Sequence, residues 1–134
     1  MSKEKGIMIE RIVFEIGGYF CGFKLVRIWT EEGKTYKAYR GNFNDLDNEY
    51  VSELQREEIN ELARKLSNLK VNSWKKEFVN PEVLDGTQWE LEYKEQGKYC
   101  RHIYGSNDYP ECWNDFIEAI GDVVPEVINE IIVK

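Results

Sequence analysis

Residues Asp85–Ile120 read DGTQWELEYKEQGKYCRHIYGSNDYPECWNDFIEAI, and this stretch decides the fold. Asp85-Gly86 is a turn pair, because Asp bonds to nearby backbone and Gly tolerates positive φ. Trp89, Leu91 and Tyr93 then alternate with Glu90, Glu92 and Lys94, the pattern of a half-buried strand. Glu95–Lys98 (EQGK) turns the chain, and Tyr99–Tyr104 (YCRHIY) pairs back. Gly105–Tyr109 is a short polar loop. Pro110 suits the first turn of a helix, where a missing N–H costs nothing. Trp113, Phe116, Ile117 and Ile120 give that helix its apolar stripe, and Gly121 suits a left-handed end. The stretch is a hairpin that feeds a packed helix.

Upstream, Met8–Ile16 (MIERIVFEI) alternates, with Ile12, Phe14 and Ile16 on one face. Gly17-Gly18 predicts a hairpin turn, and Phe20–Thr30 (FCGFKLVRIWT) a second strand. Glu31–Gly33 turns again, and Thr35–Arg40 (TYKAYR) returns as a third strand. Gly41–Asn48 reads as a loop. Ser52 with Gln55 fits a capping box, in which side chains satisfy the free N–H groups of a helix start. Leu54, Ile59, Leu62, Ala63, Leu66 and Leu69 follow at helical spacing. Ser73–Phe78 (SWKKEF) reads as short strand or loop, with Trp74 buried under the helix end. Residues 122–134 read as a last short helix or strand.

The order is therefore βββ-α-(β)-ββ-α. The fold class is α+β: an antiparallel sheet of about five strands with two or three helices on one face. Residues 1–134 make one domain, a length that buries a core without staples.

The composition narrows the function classes. Net charge is −7, against a nucleic-acid partner, since phosphate contact dominates such binding. No window reaches the roughly 18 apolar residues of a membrane span. The N-terminus lacks the apolar run of a signal peptide. Three cysteines, Cys21, Cys100 and Cys112, in a chain without an export signal favour reduced thiols. The expected location is the cytoplasm. The charge is uneven: basic residues concentrate in strands two and three, at Lys24, Arg27, Lys34, Lys37 and Arg40. They read either as a solvated sheet face or as a docking face for an acidic partner.

Two short motifs carry a resemblance. Asp85-Gly86-x-x-Trp89-x-Leu91 and Gly105-x-Asn107-x-Tyr109-Pro110 resemble those of a group of small bacterial proteins, common in Firmicutes. These carry a D-G-x-x-W-x-L strand, a G-x-N-x-Y-P loop and then a helix. A tryptophan after the central helix, as at Trp74, also fits. The resemblance spans residues 50–120. It implies a small α+β domain of bacterial or phage origin and no transferable activity.

Candidate chemistry is sparse. Cys100 and His102 share a strand face, and with Cys21 and Cys112 they make a Cys3His set of the kind zinc takes. No Cys-x-x-Cys is present, and the plainer reading is buried thiols and a surface histidine, so no metal or cofactor is expected. A Cys100–His102 nucleophile pair is also weak, since i,i+2 side chains on one strand stand about 6–7 Å apart. Asp85, Asp108, Glu111 and Asp115 lie near the two turns, and an enzyme using such acids is the alternative function. The leading expectation is a binding or protein-interaction domain without catalysis. Its contact residues are Asp85, Trp89, Gly105, Asn107, Asp108 and Tyr109 at the turns, and Lys24, Arg27, Lys37 and Arg40 on the basic strands. The partner is another protein or, in a third reading, a second copy in a homodimer.

Overall fold

The computed structural model describes residues 8–18, 22–40, 50–82 and 86–125. Seven strands form one sheet: β1 (Ile9–Gly18), β2 (Gly22–Glu31), β3 (Lys34–Arg40), β4 (Tyr50–Glu53), β5 (Glu77–Val79), β6 (Thr87–Glu95) and β7 (Arg101–Ser106). Two helices, α1 (Arg56–Asn68) and α2 (Trp113–Val123), complete the α+β domain. The sheet order is β4-β3-β2-β1-β6-β7-β5, antiparallel except where β5 runs parallel to β7.

The sheet is larger than the expected five strands by two, β4 and β5, and three other boundaries differ. Tyr50–Glu53 forms strand β4 instead of opening the helix, because Val51 and Ser52 pair with Ala38 and Lys37. The helix begins later: Glu58 Oε1 accepts the Gln55 backbone N–H at 2.9 Å, so the cap sits at Gln55 and not at Ser52. Glu77–Val79 becomes a short edge strand, held by β7. Gly17 and Gly18 are not the turn either; they extend β1 and pair with Phe23 and Gly22. In α2, the first helical residue is Trp113 and Gly121 lies inside the helix. The expected loop at residues 41–48 and the C-terminal element fall on or mostly on residues outside those described.

Alternation decides the layers. Ile12, Phe14 and Ile16 of β1 point to one face with Val26 and Ile28 of β2 and Trp89, Leu91 and Tyr93 of β6. A register shift between Ile9 and Arg11 brings Ile9 to the same buried side. Leu62, Ala63 and Leu66 of α1 cover this face together with Phe116, Ile117, Ala119 and Ile120 of α2. Trp74 lies under the end of α1, as expected, with its indole N–H donating to the Leu69 carbonyl at 3.1 Å.

One polar pair is buried with the core. The Tyr93 hydroxyl donates to Glu95 Oε2 at 2.6 Å, and Glu95 is only 5% exposed. Burial, then the bond to Glu95 and its charge, pushes the tyrosine above its ordinary value of 10.0. A raised folded-state pKa gives stability that is intact below pH 10 and lost as pH rises past it. Tyr93→Phe should cost about 2 kcal/mol at neutral pH, because it leaves a buried carboxylate short of a donor. The gap between variant and wild type should narrow above pH 10. Urea unfolding at pH 7 and pH 11 checks both points.

Candidate functional site

The two sequence motifs meet at one corner of the sheet. Gly105 on β7 stands opposite Trp89 on β6, and a Cβ on Gly105 would lie 1.9 Å from Trp89 Nε1. Only glycine lets the indole lie flat across β7. The indole N–H then donates to the Asp108 carbonyl at 3.0 Å. Asn107 takes a left-handed backbone (φ 60), which Asn tolerates better than most residues. Its Oδ1 accepts the Thr87 N–H at 3.0 Å, and its own N–H donates to the Thr87 carbonyl at 2.9 Å. Gly86 (φ 146) leaves room for that side chain: a Cβ there would fall 2.0 Å from Asn107 Oδ1.

These residues close onto one another. The Asp108 carboxylate accepts the Tyr109 N–H at 2.9 Å, and the Tyr109 ring lies 4.9 Å from Trp113. The structure therefore brings Trp89, Gly105, Asn107, Asp108 and Tyr109 together as a latch that ties β6 to β7 and launches α2. Asp85 lies outside the described residues. The turn acids Asp108, Glu111 and Asp115 form no metal-holding cluster among the described residues.

The basic residues do not share a face. Lys24 lies on the helix side with Val26 and Ile28 and is 9% exposed. Lys37 is on the same side, and its ammonium donates to the Val123 carbonyl at the end of α2. Their apolar stems run along the core margin. Arg27 and Arg40 point the other way, and the Arg27 guanidinium lies 4.6 Å from the centre of the Trp29 ring. A single basic docking face built from all four is thereby corrected: alternation along β2 and β3 divides them.

The side opposite the helices is an open sheet face among the described residues. The pairing registers arrange it in rows across the strands. One row runs Tyr104, Glu90, Glu15, Leu25, Arg40. The next runs His102, Glu92, Val13, Arg27, Ala38, and a third runs Lys94, Arg11, Trp29, Tyr36. In the first two rows acids lie on β1 and β6 (Glu15, Glu90, Glu92) and bases on β2 and β3 (Arg27, Arg40), with Val13 and Leu25 between them; in the third row Lys94 and Arg11 lie on β6 and β1, and Trp29 and Tyr36 on β2 and β3. A shallow groove of about 240 Å³ runs over Glu15, Glu90, Glu92, His102 and Tyr104.

A tighter cluster sits at the β6–β7 end of this face. Glu92 pairs across the strands with His102, and Cys100 lies just before β7. One donor atom from each lies within 4.8 Å of the others. Cys100 Sγ is 3.6 Å from Glu92 Oε2. Arg11 reaches in from β1, its Nε donating to Glu92 Oε2 at 2.8 Å and its Nη2 lying 3.4 Å from Cys100 Sγ. The bond to Glu92 outweighs burial and holds the guanidinium above its ordinary value. Cys112 is remote from this cluster. It precedes α2 and packs against the core, where burial pushes its thiol up. The Cys3His grouping is thus broken by the sheet itself; Cys21 lies outside the described residues.

Glu15, Glu90, Glu92 and Arg11 were absent from the expected site. For Glu92 the available signal was the EQGK turn, whose register sets it beside His102.

The chain matches no family model, and no curated protein matches it. No described helix is long and apolar enough to cross a membrane.

Proposed function

We propose that this protein is a cytoplasmic binding domain without catalysis, working through the open face of its sheet, and that its occupant is a second copy of the chain. The observation that carries this reading is that two rows of the face set acids on β1 and β6 (Glu15, Glu90, Glu92) against bases on β2 and β3 (Arg27, Arg40), with Val13 and Leu25 between them. Such a face is self-complementary under a twofold axis, the commonest symmetry of soluble dimers. An axis parallel to the strands, between β1 and β2, sets Glu90 opposite the partner's Arg40 and Arg11 opposite the partner's Trp29. Val13 then lies opposite the partner's Arg27, and Leu25 opposite the partner's Glu15. Kinship with the small Firmicute proteins is part of the same proposal; its support is that both motifs converge on one latch. No observation favours an enzyme built on the turn acids, since the Asp108 carboxylate caps the Tyr109 N–H.

Charge exchange tests the dimer. Sedimentation at low salt should show a wild-type dimer. The pair Glu15→Lys with Glu90→Lys should be monomeric, as should Arg27→Glu with Arg40→Glu. Mixing the two variants should restore a dimer, because the lysine at 90 of one then faces the glutamate at 40 of the other. Raising the salt from 0.05 to 0.5 M should weaken every dimer, through screening of exposed charges. A monomeric wild type, or dimers that ignore both reversals, would overturn self-association and leave the face to a different protein.

A further inference from the structure

We propose that Glu92, Cys100 and His102 form a zinc-binding site on the open face of the β6–β7 hairpin. The inference stands apart from the dimer reading and uses different residues from its test.

Three features of the cluster carry it. The first is chemical. A thiolate, an imidazole and a carboxylate are the three side-chain donors zinc accepts, whereas magnesium and calcium take oxygen and avoid sulfur. The second is geometric. Donor atoms around tetrahedral zinc stand roughly 3.3–3.8 Å apart, given bonds of about 2.0–2.3 Å. Cys100 Sγ and Glu92 Oε2 are already 3.6 Å apart, and all three donors lie within 4.8 Å. Small rotations of Glu92 and the exposed His102 close the rest. Glu92 and His102 are fixed by cross-strand pairing, so two of the three ligands stand on rigid strands, with Cys100 one residue before β7. In the single chain the fourth position lies on the open side of the sheet and takes a water.

The third feature is the cation already drawn to these ligands. Arg11 ion-pairs with Glu92 at 2.5 Å and touches Cys100. The pocket of donors thus selects positive charge. The Arg11 side chain is 44% exposed, so it has room to swing aside when a metal takes its place. Arg11 and zinc compete for the same carboxylate oxygen.

Cobalt(II) reports this site, because a thiolate ligand gives it a charge-transfer absorption. The protein for the experiment is the full chain carrying Cys21→Ser and Cys112→Ser, which leaves Cys100 as the sole thiol. One cobalt per chain should produce the band, and one zinc should abolish it, while excess magnesium or calcium leaves it intact. Cys100→Ser should remove the band. His102→Ala should weaken binding at least tenfold, the scale of losing one ligand contact. Arg11→Gln should tighten it about fivefold, the scale at which an exposed ion pair competes. Cys100, His102 and Arg11 lie on the open face, so circular dichroism and the unfolding midpoint of their variants should stay close to those of the two-serine chain. No band in the two-serine chain, or a band that survives Cys100→Ser, overturns the site. Weaker binding in Arg11→Gln also overturns it, since Arg11 would then be holding the ligands and not competing with the metal.

Discussion

Gly105→Ala should lower the thermal midpoint by about 15 °C, equivalent to roughly 4 kcal/mol in a domain of this size. The added methyl would lie 1.9 Å from Trp89 Nε1 and 2.1 Å from Cε2, well inside van der Waals contact. The indole has nowhere to go. It is 1% exposed, with Phe78 at 5.8 Å on one side and Trp113 at 4.7 Å on another. Any retreat of the ring also stretches its hydrogen bond to the Asp108 carbonyl, which then lies unsatisfied. A second variant isolates the cause. In a Trp89→Leu background the large ring is gone, and the added alanine methyl should cost far less. A thermodynamic cycle over the two sites should therefore show coupling of at least ~2 kcal/mol. Additive effects would mean that the ring does not rest on Gly105.

Phe116→Ala should be almost as damaging, at about 3–5 kcal/mol. Phe116 is fully buried and is the hub of the aromatic layer between α2 and the sheet. Its ring centre lies 5.2 Å from Phe14, 5.4 Å from Trp74 and 5.5 Å from Trp113. Truncation removes the edge-to-face partner of Phe14 and Trp74 and the tilted neighbour of Trp113 at once, and leaves a cavity that rigid rings cannot fill. Phe116→Leu keeps most of the volume and should lose less than half as much. Near-ultraviolet circular dichroism should fall sharply in the alanine variant, because Trp74 and Trp113 lose their fixed packing. A spectrum like wild type would exclude Phe116 as the hub.

The parts of the fold legible in the sequence were those where one periodicity rules. The alternation of Ile12, Phe14 and Ile16, and of Trp89, Leu91 and Tyr93, fixed which side of each strand is buried. The stripe from Leu62 to Leu66 did the same for α1. Strand β4 was hidden, and Ser73–Phe78 read equally as strand or loop, because β4 and β5 are short and each is made by its neighbour. Tyr50–Glu53 pairs with β3, and Glu77–Val79 with β7, so neither carries a pattern of its own. The capping signal at Ser52 competed with that pairing and lost. Lys24 and Lys37 were misread as a face because their charge outweighed their position. By alternation Lys24 belongs with Val26 and Ile28, and a lysine at a core margin satisfies both demands. The motif residues at 105–109 were found, but their mutual bonds were not, since Trp89 and Asp108 are distant in sequence. Glu92 was missed for a similar reason: its partner His102 is set by hairpin register and not by spacing along the chain.

The place of β1 has a consequence for synthesis. Among the described strands, β1 comes first in the chain and is the middle strand of the sheet, between β2 and β6. When it leaves the ribosome it has β2 on one side and nothing on the other until Thr87 has been added. At 5–20 residues per second the interval from Gly18 to Thr87 lasts roughly 3–14 s. Through that time a nascent chain offers a bare strand edge beside Ile12, Phe14 and Ile16, the kind of surface that recruits other chains. Yield in a cell then depends on how fast the downstream half is delivered, and codon changes that slow residues 50–95 should raise aggregation without touching the finished molecule.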